Sequence, residues 1–163
     1  MLRELEPLNL SDLSRVQVEF FRYPFTVVRP LDFLIVKCIG EVRKGLDGDA
    51  DCTFIIAMSK AALVAYRAIG IVFDFSQLSF DRDDGVNESF LRVGDGEFPD
   101  MQFPTLFVVS ALSRDGLSQK LNREKGESEV LENWLFDSLE LAIDELSIRC
   151  CELFGPSGEF LIQ

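Results

Sequence analysis

Ile71–Gly85, IVFDFSQLSFDRDDG, is the segment from which the fold of this chain can be worked out. Its first part, Ile71–Phe75, is a run of β-branched and aromatic residues. In an extended chain Ile71, Phe73 and Phe75 share one face, and Val72 and Asp74 the other. A run this apolar needs cover on both faces, as a central strand of a parallel sheet has. A turn is predicted at Ser76-Gln77, then an acidic tip over Asp81–Gly85.

Upstream, Gly70 marks the end of a helix predicted over Cys52–Arg67. Asp49 or Asp51 is its predicted cap, because an aspartate oxygen accepts from the free N–H groups of a first turn. Phe54, Ile55, Ile56, Ala57, Met58, Ala61, Ala62, Leu63, Val64 and Ala65 leave it little polar face. Such a helix is either covered on two sides or part of a homodimer interface, and cover by its own neighbours is the preferred reading. Lys44–Asp49 reads as a turn. Asp32–Val42, DFLIVKCIGEV, is the strongest strand of the N-terminal third, and Val16–Phe21 alternates as a strand that Pro24 interrupts. Phe25–Val28 is a further short β-rich run. Residues 1–24 are therefore an N-terminal extension or edge strand, with Ser11 a cap for a short helical turn.

Downstream, Val86–Val93 reads as a short helix capped by Asp84, and Gly94–Met101 as an acidic loop. Phe103–Ser110 is a second buried strand. Pro104 must stand at its start, since it would forfeit a ladder hydrogen bond further in. A helix over Ser113–Arg123 and a short edge strand within Val130–Phe136 follow. The last helix is predicted to start at Asp137 with Glu140 completing a capping box, and Leu139, Ala142, Ile143, Leu146 and Cys150 form its apolar stripe. Gly155-Pro156 ends the core, and residues 156–163 are a tail. Strands alternating with helices imply one α/β domain over residues 1–163, with a mixed, partly parallel sheet of four to six strands.

Composition narrows the function. The chain is 47% hydrophobic and carries 28 acidic against 16 basic residues, a net charge of −12. That surface repels nucleic-acid phosphates and anionic membranes; it allows a basic protein partner, although such a charge most often serves solubility alone. Phe accounts for 15 residues against one Trp and two Tyr, so the aromatic content reads as core filling. There is no histidine. A Ser-His-Asp or Cys-His pair cannot be built, nor a His-ligated metal site. Cys38 and Cys52 lie in apolar runs, as buried free thiols do, and Cys150-Cys151 are neighbours that rarely pair; together they point to a reducing cytoplasm. Met1–Leu10 carries Glu4 and Glu6 where a signal peptide needs an apolar core.

With these elements placed, the chain resembles the STAS domain, the anti-sigma-factor-antagonist fold. The likeness rests on Ile71-Val72-Phe73-Asp74-Phe75-Ser76-Gln77-Leu78, the loop closing at Gly85, the strand Thr105–Ser110, and Phe136-Asp137-Ser138-Leu139-Glu140-Leu141-Ala142-Ile143. It spans about Thr26–Leu146. In that family an apolar strand with a central Asp leads to a loop of Asp-Ser-Ser-Gly type, whose serine is phosphorylated in regulatory members. Here Arg82-Asp83-Asp84 stands before Gly85, so no hydroxyl is present and Asp83 supplies a permanent single charge. The resemblance implies a non-enzymatic regulatory module. Its partner would dock on Asp81, Arg82, Asp83, Asp84, Asn87 and Glu88, with no cofactor. Two alternatives stand beside it: an acidic inhibitor or immunity-type protein that masks a basic partner, and a small enzyme using carboxylates.

The acids offer no ligand set for calcium. Counting back from Gly85 as the sixth loop position puts Phe80 first and Arg82 third. Asp47, Asp49 and Asp51 are correctly spaced, but Cys52 stands where glycine is required. Gly94-Asp95-Gly96 is too acidic to cradle phosphate. Calcium or zinc at micromolar concentration should therefore leave the melting temperature unchanged. Differential scanning fluorimetry with and without metal checks this, and a rise of several degrees would contradict it.

Overall fold

A computed structural model describes residues 5–25, 31–80, 90–97, 102–125 and 133–155. It is an α/β fold built on a mixed five-stranded sheet. In chain order the elements are β1 (Gln17–Pro24), β2 (Asp32–Glu41), α1 (Gly45–Tyr66), β3 (Gly70–Ser79), β4 (Thr105–Val108), α2 (Arg114–Lys125), β5 (Leu135–Phe136) and α3 (Leu139–Phe154). The strands lie side by side in their sequence order; β1 runs antiparallel to β2, and the other neighbours are parallel.

Consecutive parallel strands joined by crossovers of one hand carry all their connections on one face. That face holds α1, α2 and the 3₁₀ turn Phe90–Arg92, and its core includes Ile55, Leu63, Phe73, Phe75, Phe90, Phe107 and Leu117. Phe73 stacks on Phe107 at 5.6 Å, and Phe90 meets Phe73 edge-on at 5.4 Å. Ring pairs of this kind contribute about 0.5–1.5 kcal/mol each beyond the area they bury. The opposite face carries Phe33, Ile35, Val72, Leu106 and Val108, which α3 covers with Ala142, Leu146, Cys150 and Phe154. Leu146 lies so near Gly70 that a Cβ there would meet its side chain at 3.1 Å.

β3 does not turn at Ser76-Gln77 as predicted. It continues to Ser79 through a bulge: Asp74 opposes Lys37 and Gln77 opposes Ile39, so Phe75 and Ser76 share one residue of β2. The Asp74 carboxylate accepts from the Ser76 N–H at 3.0 Å and from its hydroxyl at 2.6 Å. The extra residue moves the buried positions on by one, so Leu78 and Phe80 rather than Gln77 enter the core.

Other boundaries and caps move as well. α1 begins at Gly45, inside the predicted turn, and Lys44 rather than Asp49 or Asp51 precedes it. It ends at Arg67, whose φ of 51° places a non-glycine residue in the left-handed region; Gly70 already belongs to β3. Ser138, not Asp137, caps α3 by accepting from the Leu141 N–H, so Glu140 completes no capping box. Near the start, Asn9 rather than Ser11 caps a 3₁₀ turn over Leu10–Leu13. β1 forms the sheet edge over Gln17–Pro24, and β5 is limited to Leu135–Phe136.

α1 is covered on one side only. Cys52, Ile55, Ile56, Ser59 and Leu63 are buried, whereas Ala57, Ala61, Val64 and Ala65 face solvent. No helix among the described residues is long and apolar enough to cross a membrane. The two sides of α1 should answer mutation differently. Ile56→Ala should cost about 2–5 kcal/mol through lost burial and a residual cavity. Val64→Ala, at a site 62% exposed, should cost no more than about 0.5 kcal/mol. Urea denaturation of both variants measures the difference.

Candidate functional site

The six residues expected to dock a partner, Asp81, Arg82, Asp83, Asp84, Asn87 and Glu88, lie outside the described residues, as does the first half of the helix predicted over Val86–Val93, whose second half holds the 3₁₀ turn Phe90–Arg92. Their flanks are described. Phe80 and Phe90 are both buried, with ring centroids 6.4 Å apart. Phe80 donates its N–H to the Leu112 carbonyl, and a Cβ at Gly116 of α2 would meet the Phe80 carbonyl oxygen at 2.4 Å. Phe80 and Phe90, the described residues on either side, are thus seated in the core, Phe80 just past the carboxyl end of β3. Lys120 of α2 is buried there too, its ammonium 5.3 Å from the Phe90 ring centroid.

The other acids singled out in sequence fall into separate places. Asp51 is fully buried, and its carboxylate accepts four hydrogen bonds: from Ser14 Oγ at 2.7 Å, from Arg43 N and Nε at 2.9 Å each, and from Arg43 Nη2 at 2.8 Å. It ties the segment before β1 to the loop between β2 and α1. Asp47 only flanks the same guanidinium, at 3.9 Å. Asp95 pairs with Arg92 on the surface, and Asp137 pairs with Arg114. No group of three or more His, Cys, Asp or Glu is placed to hold a metal among the described residues.

The cysteines are free. Cys38, Cys52 and Cys150 are buried, and Cys151 is half-buried. Burial pushes the Cys38 thiol far up, and the nearby Asp74 and Cys52 add to the rise. Burial, with Cys151 beside it, pushes Cys150 up to about 12. Burial and the raised pKa both disfavour the reactive thiolate at these two positions.

One feature escaped the sequence reading. Where α1 ends, the left-handed Arg67 swings the chain back so that Ile69 donates its N–H to the Asp32 carbonyl at 3.0 Å. Tyr66 and Ala68 are thereby held over the start of β2. Between them and the edge strand lies a pocket of about 200 Å³, walled by Phe20, Leu34, Tyr66 and Ala68, with Arg22 and Asp32 as its charged groups. Asp32 pairs across the β1–β2 ladder with Pro24, and Arg22 with Leu34, which sets both charges on the α1 side of the sheet. The only sequence signal was an aspartate heading an apolar strand.

Compared with known proteins, the chain matches no family model, no curated protein and no solved structure.

Burial alone would raise the pKa of Asp51, but the hydrogen bonds from Arg43 and Ser14, with the Arg43 charge, outweigh it and hold the carboxyl below the usual range. A group depressed in the folded state stabilises above its unfolded pKa and loses that contribution as pH falls through the folded one. Asp51 should therefore be neutral in effect on the pH dependence above about pH 5 and contribute to acid unfolding below about pH 4. Asp51→Ala should cost about 1–3 kcal/mol at pH 7, since it leaves the Arg43 N–H and the Ser14 hydroxyl without their acceptor. It should also flatten the fall of stability between pH 4 and the acid transition. Urea titrations at a series of pH values test both.

Proposed function

We propose that this protein is a non-enzymatic regulatory interaction module of STAS-like architecture, acting in the cytoplasm. It docks a protein partner through the acidic segment Asp81–Glu88 and the residues that follow. The observation that supports this reading best concerns the two residues that flank that segment: Phe80, just after β3, and Phe90 are both buried in the core, with ring centroids 6.4 Å apart. Segments held at their ends by a rigid scaffold are where binding residues are most often carried. Asp81, Asp83, Asp84 and Glu88 concentrate negative charge in a short stretch of sequence, set against one Arg82, within a chain of net charge −12. Charge so placed steers a basic partner and fixes its orientation. Asp83, in the place of the family's phosphorylated serine, makes the module permanently charged rather than switched.

The overall charge also favours a second reading, an acidic inhibitor or immunity-type protein whose whole surface masks a basic partner. The two differ in how localised the binding energy is. In the first, Asp83→Lys with Asp84→Lys should weaken binding of a captured partner by about tenfold or more, and reduce its salt dependence, while the melting temperature stays within about 2 °C. Calorimetry at two salt concentrations measures this. Unchanged binding, or a loss that follows unfolding, would overturn the docking face. A small loss at these two positions, repeated wherever an acid is reversed, would favour the masking protein.

A further inference from the structure

We infer that the pocket between β1, the start of β2 and the end of α1 receives one arginine side chain of a partner protein, with Arg22 as the internal group that it displaces. This site is separate from the acidic segment. Asp32 and Gly70 stand at the amino ends of β2 and β3, and Phe80 follows the carboxyl end of β3.

Asp32 sets the charge of the ligand. Its side chain is only 9% exposed, yet its partner is a loose one: Arg22 Nε lies 3.4 Å from Oδ2, and the Arg22 side chain is 65% exposed. Among the described residues no hydrogen bond to the Asp32 carboxylate is formed. Its oxygens are not sealed off: Asp49 Oδ1 is the one buried side-chain polar atom without a hydrogen-bond partner among the described residues, so the Asp32 carboxylate still meets water, at the pocket that it lines. Asp51, fully buried, instead accepts four hydrogen bonds. Asp32 therefore retains acceptor capacity at the pocket, and a ligand that replaces that water must bring N–H donors and positive charge.

The walls choose among cations. Phe20, Leu34, Ala68 and the Tyr66 ring offer apolar and aromatic surface. A guanidinium is planar, weakly hydrated, able to stack on a ring and able to give a carboxylate two parallel N–H bonds; an ammonium keeps more water. The volume, about 200 Å³, falls below the range of roughly 300–1,000 Å³ in which sites enclose a whole small molecule. It suits one long side chain. Arginine is among the residue types that most often carry the binding energy of an interface when seated in a well-packed pocket.

The test is an amide-resolved NMR titration of the full chain with acetyl-Gly-Arg-Gly-amide, and with its lysine and citrulline counterparts. The arginine peptide should give saturable shifts at Phe20, Leu34, Tyr66 and Ala68, the lysine peptide weaker ones, and the uncharged citrulline peptide none. Asp32→Asn should weaken binding by about tenfold or more, and Arg22→Ala should tighten it by removing the competitor. The spectrum of Asp32→Asn reports its folding; should it unfold, the citrulline and Arg22→Ala results still decide. Equal binding of citrulline, shifts confined to other surfaces, or weaker binding by Arg22→Ala would overturn the inference. Agmatine binding about tenfold tighter than the peptide would also overturn it, assigning the pocket to a small free cation.

Discussion

Phe73 stacks on Phe107 on one face of β3, and Val72 lies in the α3 core on the other. A strand buried on both faces demands a layer on each side of the sheet, and the remaining architecture follows from that demand. The crossovers of a consecutively ordered parallel sheet can fill only one face. The second face must be supplied by a segment outside the crossovers, and α3 is that segment. Its approach is close enough that β3 begins with a glycine under Leu146. The bulge at Ser76 belongs to the same logic. It lets β3 keep pairing with β2 while shifting Leu78 and Phe80 into the core beside Phe75.

Two buried aspartates show how burial separates structural from available charge. Asp51 and Asp32 both lie next to an arginine, at opposite ends of α1. Asp51 is wrapped by Arg43 and Ser14, and every bond it makes is internal. Asp32 leans on an arginine that remains mostly in water. The first arrangement fixes the chain before β1 against the start of α1. The second leaves a carboxylate open to a cavity.

The sheet and its helices were legible in sequence because apolar run length, β-branched content and the turn residues agreed. Asp32–Val42, Ile71–Phe75 and the stripe Leu139–Cys150 all carry that agreement. The errors share one physical cause. A side chain's partner across the fold is invisible in a linear pattern. Asp51 looked like a helix cap because caps are short acids before apolar runs; its bonds to Arg43 and Ser14 require the β2–α1 loop to fold back. Helix α1 stops at an arginine in the left-handed region, where glycine would have announced the end. The pocket was hidden for the same reason, since Arg22, Asp32 and Tyr66 come together only once β1 has paired and α1 has turned. The apolar composition of Cys52–Arg67 overstated its burial, because alanines suit the exposed side of a helix by propensity alone.

The agreement between strand order in space and strand order in sequence bears on synthesis. Each strand emerging from a ribosome finds its neighbour already made, so the sheet can be extended one strand at a time without a distant segment being awaited. The exception is the face carrying Phe33, Ile35, Val72 and Leu106, which stays open until α3, the last helix, has been made. A nascent or truncated chain lacking that helix would present a broad apolar sheet to its surroundings. The closing step of folding is therefore also the step on which solubility during biosynthesis depends.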